Sequence, residues 1–231
     1  MPVARLWREC AGRELFQVSV AGARGGELAA QSRAAIEKAL EEIGKAGFAA
    51  GHIVRSRLWA RDAAARTAAS DVRRALLAGE ARGASASFFD AERMAAESDM
   101  AIDILALRAP AAVRKIVVEY DPPITPPLFV VLDGMVFLSG NTDISPAFAD
   151  QVARIAGKIE RALAKAGAAL PQVVALSAFV AKSVDPAAAR AAIAERLPGL
   201  ACPIEIASVI GFSASEKLIE IETTATLKPP A

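Results

Sequence analysis

The sequence predicts an α+β protein made of two tandem ββαβαββ two-layer domains. Three observations carry this. First, residues 27–60 repeat in residues 147–180 at an offset of 120: Gln31 falls on Gln151, Lys38 on Lys158, Gly47 on Gly167, Val54 on Val174 and Trp59 on Phe179. A self-match at one long period marks two copies of one folding unit. Second, each copy alternates short β-patterned runs with amphipathic helical runs, the signature of helices covering one face of a sheet. Third, Asp133-Gly134 sits between two apolar runs, a strong hairpin signal.

In copy 1, residues 14–21 alternate like a strand through Phe16, Val18 and Val20. Residues 27–46 form a helix with Ile36, Leu40 and Ile43 on one face. Gly47 ends it by supplying a left-handed residue. A strand at 52–60, a helix at 63–78 and strands at 85–89 and 100–107 follow, the last two flanking a polar excursion at 90–99. Copy 2 repeats the order. It has a hairpin at 129–132 and 135–139, a helix at 150–166, and a strand at 173–181. Asp185-Pro186 caps a helix running to residue 197, and closing strands lie at 204–210 and 217–227. This divides the chain into a divergent first repeat at 1–108, a Pro-rich linker with a candidate strand at 109–127, and a second repeat at 128–231.

Composition removes several function classes. Net charge is +1, from 27 basic and 26 acidic residues, so there is no basic excess of the kind a phosphate-backbone binder needs. The N-terminal residues have neither the apolar core of a signal peptide nor a membrane-spanning run. Cys10 and Cys202 lie in different copies without metal-like spacing and read as reduced thiols of a cytoplasmic protein. His52 is the only histidine, which argues against a Ser-His-Asp site or a histidine-built metal centre. Gly22 to Gly26 is too irregular for a dinucleotide loop. No cofactor is expected, and Phe88-Phe89 reads as core.

Several segments of copy 2 resemble the RidA/YjgF family of reactive imine/enamine deaminases. They are Asp133-Gly134-Met135-Val136-Phe137-Leu138-Ser139-Gly140, then Ala166-Gly167-Ala168-Ala169-Leu170-Pro171-Gln172-Val173-Val174, and finally Ile219-Glu220-Ile221-Glu222. Copy 1 resembles the family more weakly, mainly through copy 2. The resemblance implies a chorismate-mutase-like fold, homo-oligomers with a trimer favoured (most simply three chains giving six domains), and small anion-binding clefts between subunits for a small-molecule ligand. It implies that Glu220 positions water, with Asp103 as its nearest equivalent in copy 1, and that Ser139-Gly140 lines the site, with Ala21-Gly22 as a weaker counterpart. The family's carboxylate-binding arginine is absent: its position falls on Glu205 in copy 2 and on Ser85 in copy 1. A glutamate there repels a carboxylate and attracts an amine or cation, or forms a structural ion pair. The family's aromatic before the first hairpin is also missing, replaced by Pro126-Pro127-Leu128.

Arg55 and Arg57 share a strand face where copy 2 has Ala175 and Ser177. Three readings stay open for them: a relocated anion site, an ion pair with Asp103, or plain exposure. Arg82 and Arg93 flank the altered arginine position. Two functions follow: an enzyme hydrolysing an imine or enamine through Glu220 or Asp103, or a non-catalytic ligand-binding or scaffolding member. A nuclease has no support from the net charge.

Overall fold

The computed structural model describes residues 1–23, 25–90, 92 and 98–227. Arg93 lies outside the described residues. The first sheet contains β1 (Val3–Cys10), β2 (Arg13–Ala21), β3 (Ile53–Ala60), β4 (Ala84–Phe89) and β5 (Met100–Leu107), in the order β1-β2-β5-β3-β4. Helices α1 (Leu28–Lys45) and α2 (Ala63–Leu76) accompany it. The second sheet runs β11-β10-β12-β8-β7-β6, with β9 paired to β12. Its strands are β6 (Ile116–Val118), β7 (Phe129–Leu132), β8 (Met135–Leu138), β9 (Asn141–Thr142), β10 (Val173–Ala181), β11 (Ile204–Val209) and β12 (Ile219–Thr226), with α3 (Phe148–Ala166) and α4 (Pro186–Arg196). The architecture is the expected tandem α+β arrangement. Strand β1 is missed by periodicity because its six central residues, Ala4 to Glu9, are all exposed and mix apolar and charged side chains without alternation.

Several of the residues that matched at the 120 offset play corresponding parts in both halves. Gly47 and Gly167 close α1 and α3 with φ of 80° and 79°, a conformation that costs glycine little. Buried Gln151 donates to the carbonyls of Ser145 and Glu216 and accepts from Leu218 N–H, tying the loop before α3 to the start of β12. Gln31 likewise donates to Gly26 O. Val54 and Val174 are the extra residues of matching β-bulges, each skipped in the pairing to the next strand.

Each helical layer buries its own core: Ile36, Ile43 and Val72 against the first sheet, and Val152, Ile155, Ile159 and Ile193 against the second. The other sheet faces meet each other. Leu15, Val54 and Leu107 share a cluster with Val130, Leu132 and Phe137, and Phe88 joins Phe179 and Phe212. Phe88 is therefore core, as expected, but core of the interface between the halves. Its ring lies 4.1 Å from that of Phe179, and the repeat partners Trp59 and Phe179 meet edge-on at 5.8 Å. Full burial of each phenylalanine contributes about 1.5–3 kcal/mol. Backbone pairing of Phe89 with Gly211 also crosses between the halves.

Strand register corrects three equivalences expected from sequence counting. Arg57 lies opposite Asp103, while Ser177 lies opposite Glu222. Asp103 is therefore the counterpart of Glu222, and Ala101, opposite Trp59, is the counterpart of Glu220. Ala86, not Ser85, pairs with Arg57 as Glu205 pairs with Ser177, so Ala86 is the first copy's counterpart of Glu205. Ser139-Gly140 forms a one-residue bulge between the pairs Phe137–Thr224 and Asn141–Ile221. Copy 1 has unbroken pairing there around Ser19, so Ala21-Gly22 is not its counterpart. The fixed count fails because the connections between helix and strand differ by a residue between the copies.

Candidate functional site

Two cavities open between the halves, and the sequence-predicted residues divide between them. The larger, about 720 Å³, is lined by Glu220, Gly140, Tyr120 and Lys217 from the C-terminal side and by Ser85, Ser87, Arg66, Ser70 and Arg73 from the N-terminal side. The smaller, about 190 Å³, takes Arg55, Arg57, Asp103 and Glu205. Asp103 and Glu220 thus do not share a site. Ser139 is buried beside the larger cavity and acts structurally: its hydroxyl donates to Pro127 O at 2.6 Å and accepts from Ser85 N–H at 3.2 Å.

Glu220 sits in the second half's central β12, only 6% exposed. Burial, reinforced by the neighbouring Glu222 charge, raises its pKa to about 8 despite Lys217, Arg73 and Arg66. The carboxyl is accordingly neutral at pH 7. A Cβ added to Gly140 would lie 1.8 Å from Glu220 Oε1, so glycine in the bulge is what leaves room for the carboxyl. Gly140 N–H donates to Ser85 O across the interface at 3.1 Å, fixing the bulge against β4.

Opposite stands a cationic stripe. Arg66, Ser70 and Arg73 recur at i, i+4 and i+7 on α2 and so share one face. Arg73 donates to Ala86 O at 2.8 Å and to Ser87 Oγ at 3.1 Å. The helix therefore delivers a guanidinium to the strand at the first copy's counterpart of Glu205. Burial and the nearby Arg66 lower the Arg73 pKa to about 10, leaving it charged. Among the described residues, Arg66, Arg73 and Lys217 have no carboxylate within 4 Å, whereas Arg74, Arg82 and Lys158 are paired to Asp71, Glu119 and Asp143. The buried Arg66 Nε and Ser70 Oγ have no hydrogen-bond partner, an arrangement that a ligand anion would satisfy.

Tyr120 supplies an aromatic from just upstream of the Pro-rich stretch. Its hydroxyl pKa is raised by burial and by Glu220. Sequence reasoning missed Arg66, Arg73 and Tyr120. The i, i+4, i+7 spacing on α2 was readable, but nothing in it said which way that face points.

Arg55 and Arg57 resolve into an interdomain ion pair with Glu222 rather than with Asp103. Arg57 places Nε at 2.9 Å and Nη2 at 2.7 Å from one Glu222 oxygen. Arg55 binds Thr224 Oγ1 and the carbonyls of Leu138 and Thr223, with Nε 3.5 Å from Glu222. Burial pushes the Glu222 pKa up, but Arg57 and Arg55 outweigh it and hold the group ionised. Asp103 instead accepts from Trp59 Nε1 at 2.8 Å, and Glu205 from Ser177 Oγ at 3.0 Å. Among the described residues, no group of three or more His, Cys, Asp or Glu is placed to hold a metal, and no helix is long and apolar enough to cross a membrane.

Residues 122–227, which carry Glu220 and the Gly140 bulge, match the family model described as Endoribonuclease L-PSP. The second half of this chain belongs to the YjgF/RidA (L-PSP) family. A solved chorismatase matches nearly the whole chain, covering 96% of it and 77% of the chorismatase, with a TM-score of 0.67 at 14% identity. The tandem arrangement is therefore a chorismatase-like fold. Single-unit YjgF/RidA structures cover about half of the chain. A Mycobacterium tuberculosis member matches 48% of this chain and 98% of its own at 23% identity and a TM-score of 0.43. A Neisseria meningitidis member matches 49% and 95% at 20% identity and 0.41. No curated protein matches the chain.

Proposed function

We propose that the larger cleft hydrolyses a small carboxylate-bearing imine or enamine to a carbonyl compound and ammonia. The observation that carries this is a buried, neutral Glu220 facing Arg66, Arg73 and Lys217, none of which has a carboxylate within 4 Å among the described residues. The cations hold the substrate carboxylate, a task for which arginine's fixed fork is suited. Neutral Glu220 donates its proton to the imine nitrogen, or to the terminal carbon of the enamine. Water adds to the resulting iminium carbon, and the Glu220 carboxylate takes up the proton that the water releases. Collapse of the carbinolamine expels ammonia and leaves the carbonyl group. An acid with a pKa of about 8 suits both transfers at neutral pH. Asp103 has no part in this reading.

A second reading is favoured by the cleft's volume of about 720 Å³, more room than a three- or four-carbon acid fills, and by the whole-chain chorismatase fold. On this reading the same acid protonates the double bond of a larger carboxylate-bearing enol ether, chorismate being the first to test. Proteins of the YjgF family are typically trimeric, and we propose a homo-oligomer for this chain too. Gel filtration at the 24.0 kDa monomer mass would overturn that.

The deciding experiment measures hydrolysis of 2-iminopropanoate and 2-iminobutanoate, generated in situ, and turnover of chorismate. Wild type is compared with Glu220→Gln and Arg73→Ala. Turnover of either substrate class, lost in both variants, supports the site. No turnover at high protein concentration, with binding retained, would make this a non-catalytic ligand-binding member.

A further inference from the structure

The smaller cavity is a second site with a different chemistry. Both halves build it, and its floor is apolar and buried: Leu15 and Phe137 are 5% and 1% exposed. Its volume of about 190 Å³ corresponds to about six water molecules at ~30 Å³ each. Around this floor stand three cations, Arg8, Arg55 and Arg57, and three carboxylates, Glu9, Asp103 and Glu205.

No direct ion pair joins these six groups to one another among the described residues, although the Asp103 and Glu205 charges act on Arg57 through space. Arg57 and Asp103 are opposite in the β3–β5 register, yet no ion pair joins them. Arg57 turns to Glu222 through Nε and Nη2, leaving Nη1 without a hydrogen bond among the described residues. Asp103 uses one oxygen on Trp59, and Glu205 uses one on Ser177. The second oxygen of each is without a hydrogen bond among the described residues, and Arg8 has no carboxylate within 4 Å. A cavity with open donors and open carboxylate oxygens over an apolar floor rejects a ligand of single charge, which leaves one set unpaired. A ligand carrying both signs satisfies both sets.

We propose that this cavity binds a free α-amino acid with a small apolar side chain, as its zwitterion. Its carboxylate meets Arg8 and Arg57, its ammonium meets Glu205 and Asp103, and its side chain rests on Phe137 and Leu15. This site is independent of the reaction proposed for the larger cleft. It also explains why a glutamate occupies the family-arginine position in copy 2: there it receives an ammonium group.

The test is titration calorimetry of the full chain at pH 7 and low salt, using L-alanine, propionate and ethylamine as probes. The variants are Arg8→Gln, Glu205→Gln and Glu220→Gln. Arg8 and Glu205 are exposed, so their substitution leaves the fold intact, which thermal unfolding checks. The expected result is saturable alanine binding, at least tenfold weaker in Arg8→Gln and in Glu205→Gln and unchanged in Glu220→Gln. Propionate and ethylamine should bind at least tenfold more weakly than alanine. Propionate binding as well as alanine would overturn the proposal, as would no saturable heat at millimolar alanine. Loss of alanine binding in Glu220→Gln would place the ligand in the larger cleft and overturn it too.

Discussion

Replacing Glu220 by Gln should stabilise the protein, and by an amount that grows with pH. The unfolded carboxyl titrates near 4.5 and the folded one near 8. Between those values the native state holds a proton that the unfolded state has lost. Stability therefore falls as pH rises, by ~1.4 kcal/mol per unit for one proton. Glu220's contribution is fully present below pH 4.5 and is lost as pH rises through about 8. Across the window of about 3.5 units (8 − 4.5), the ceiling is about 5 kcal/mol. Movement of the ionised carboxylate toward Lys217, or entry of water, reduces the expected span to about 2–5 kcal/mol. Glutamine keeps the shape and cannot ionise, so the other groups cancel in the difference between the two proteins. Urea unfolding followed by tryptophan fluorescence at pH 5 to 9 measures it; Trp59 lies at the interface and reports directly. The two proteins should be nearly equal at pH 5 and diverge steadily to pH 8, with the variant the more stable. A difference that stays flat across this range would refute the assignment of Glu220 as a neutral, buried acid.

Other consequences follow from the same geometry. Arg73→Ala and Arg66→Ala should each lower kcat/KM, or ligand affinity if there is no turnover, by about 10- to 100-fold, the scale of one lost charged hydrogen bond; steady-state kinetics or calorimetry decides. Gly140→Ala must displace the Glu220 carboxyl that lies 1.8 Å from the new methyl. The pH-dependent stability difference described above should then shrink as the carboxyl moves toward water. Arg57→Met leaves Glu222, which is 1% exposed, with only Arg55 Nε at 3.5 Å, and should cost about 3–5 kcal/mol by chemical unfolding; the double variant with Glu222→Met should recover only part of it, because the buried Arg55 then loses its counter-ion. Phe88→Ala empties the centre of the interdomain aromatic cluster and should cost about 3–5 kcal/mol.

Much of the fold was legible in the sequence because its signals are local. Helix periodicity, the Gly47 and Gly167 stops and the Asp133-Gly134 turn each act within a few residues, and the repeat let each half check the other. Strand β1 was not legible because an exposed edge strand needs no apolar alternation. The candidate site was legible only in part. Glu220 and Gly140 lie in the half with the stronger resemblance, and they do meet. Asp103, Glu205, Arg55 and Arg57 collect in another cavity. Which strand lies opposite which is a matter of register, and a one-residue difference in a connection reassigns every partner.

The same physics explains how a helix can supply the cleft with cations that its strands do not carry. Side chains on β4 leave the strand at fixed, alternating positions, with Ser85 and Ser87 lining the cleft. A helix packed across that strand approaches the same volume from several positions at i, i+4 and i+7. Arg66 and Arg73 use two of them, and the contact of Arg73 with Ala86 O ties that charge to the first copy's counterpart of Glu205. Counting along the sequence leads to Ser85 and the strand register to Ala86, and neither is a cation. The charge reaches that point from thirteen residues away, carried by a helix face that nothing in the family pattern marks. If Arg73→Ala and Ala86→Arg were combined, the strand arginine should restore a measurable share of the ligand affinity lost in Arg73→Ala alone. No recovery, in a double variant that folds with an unchanged Tm, would show that Arg73 does not stand in for it.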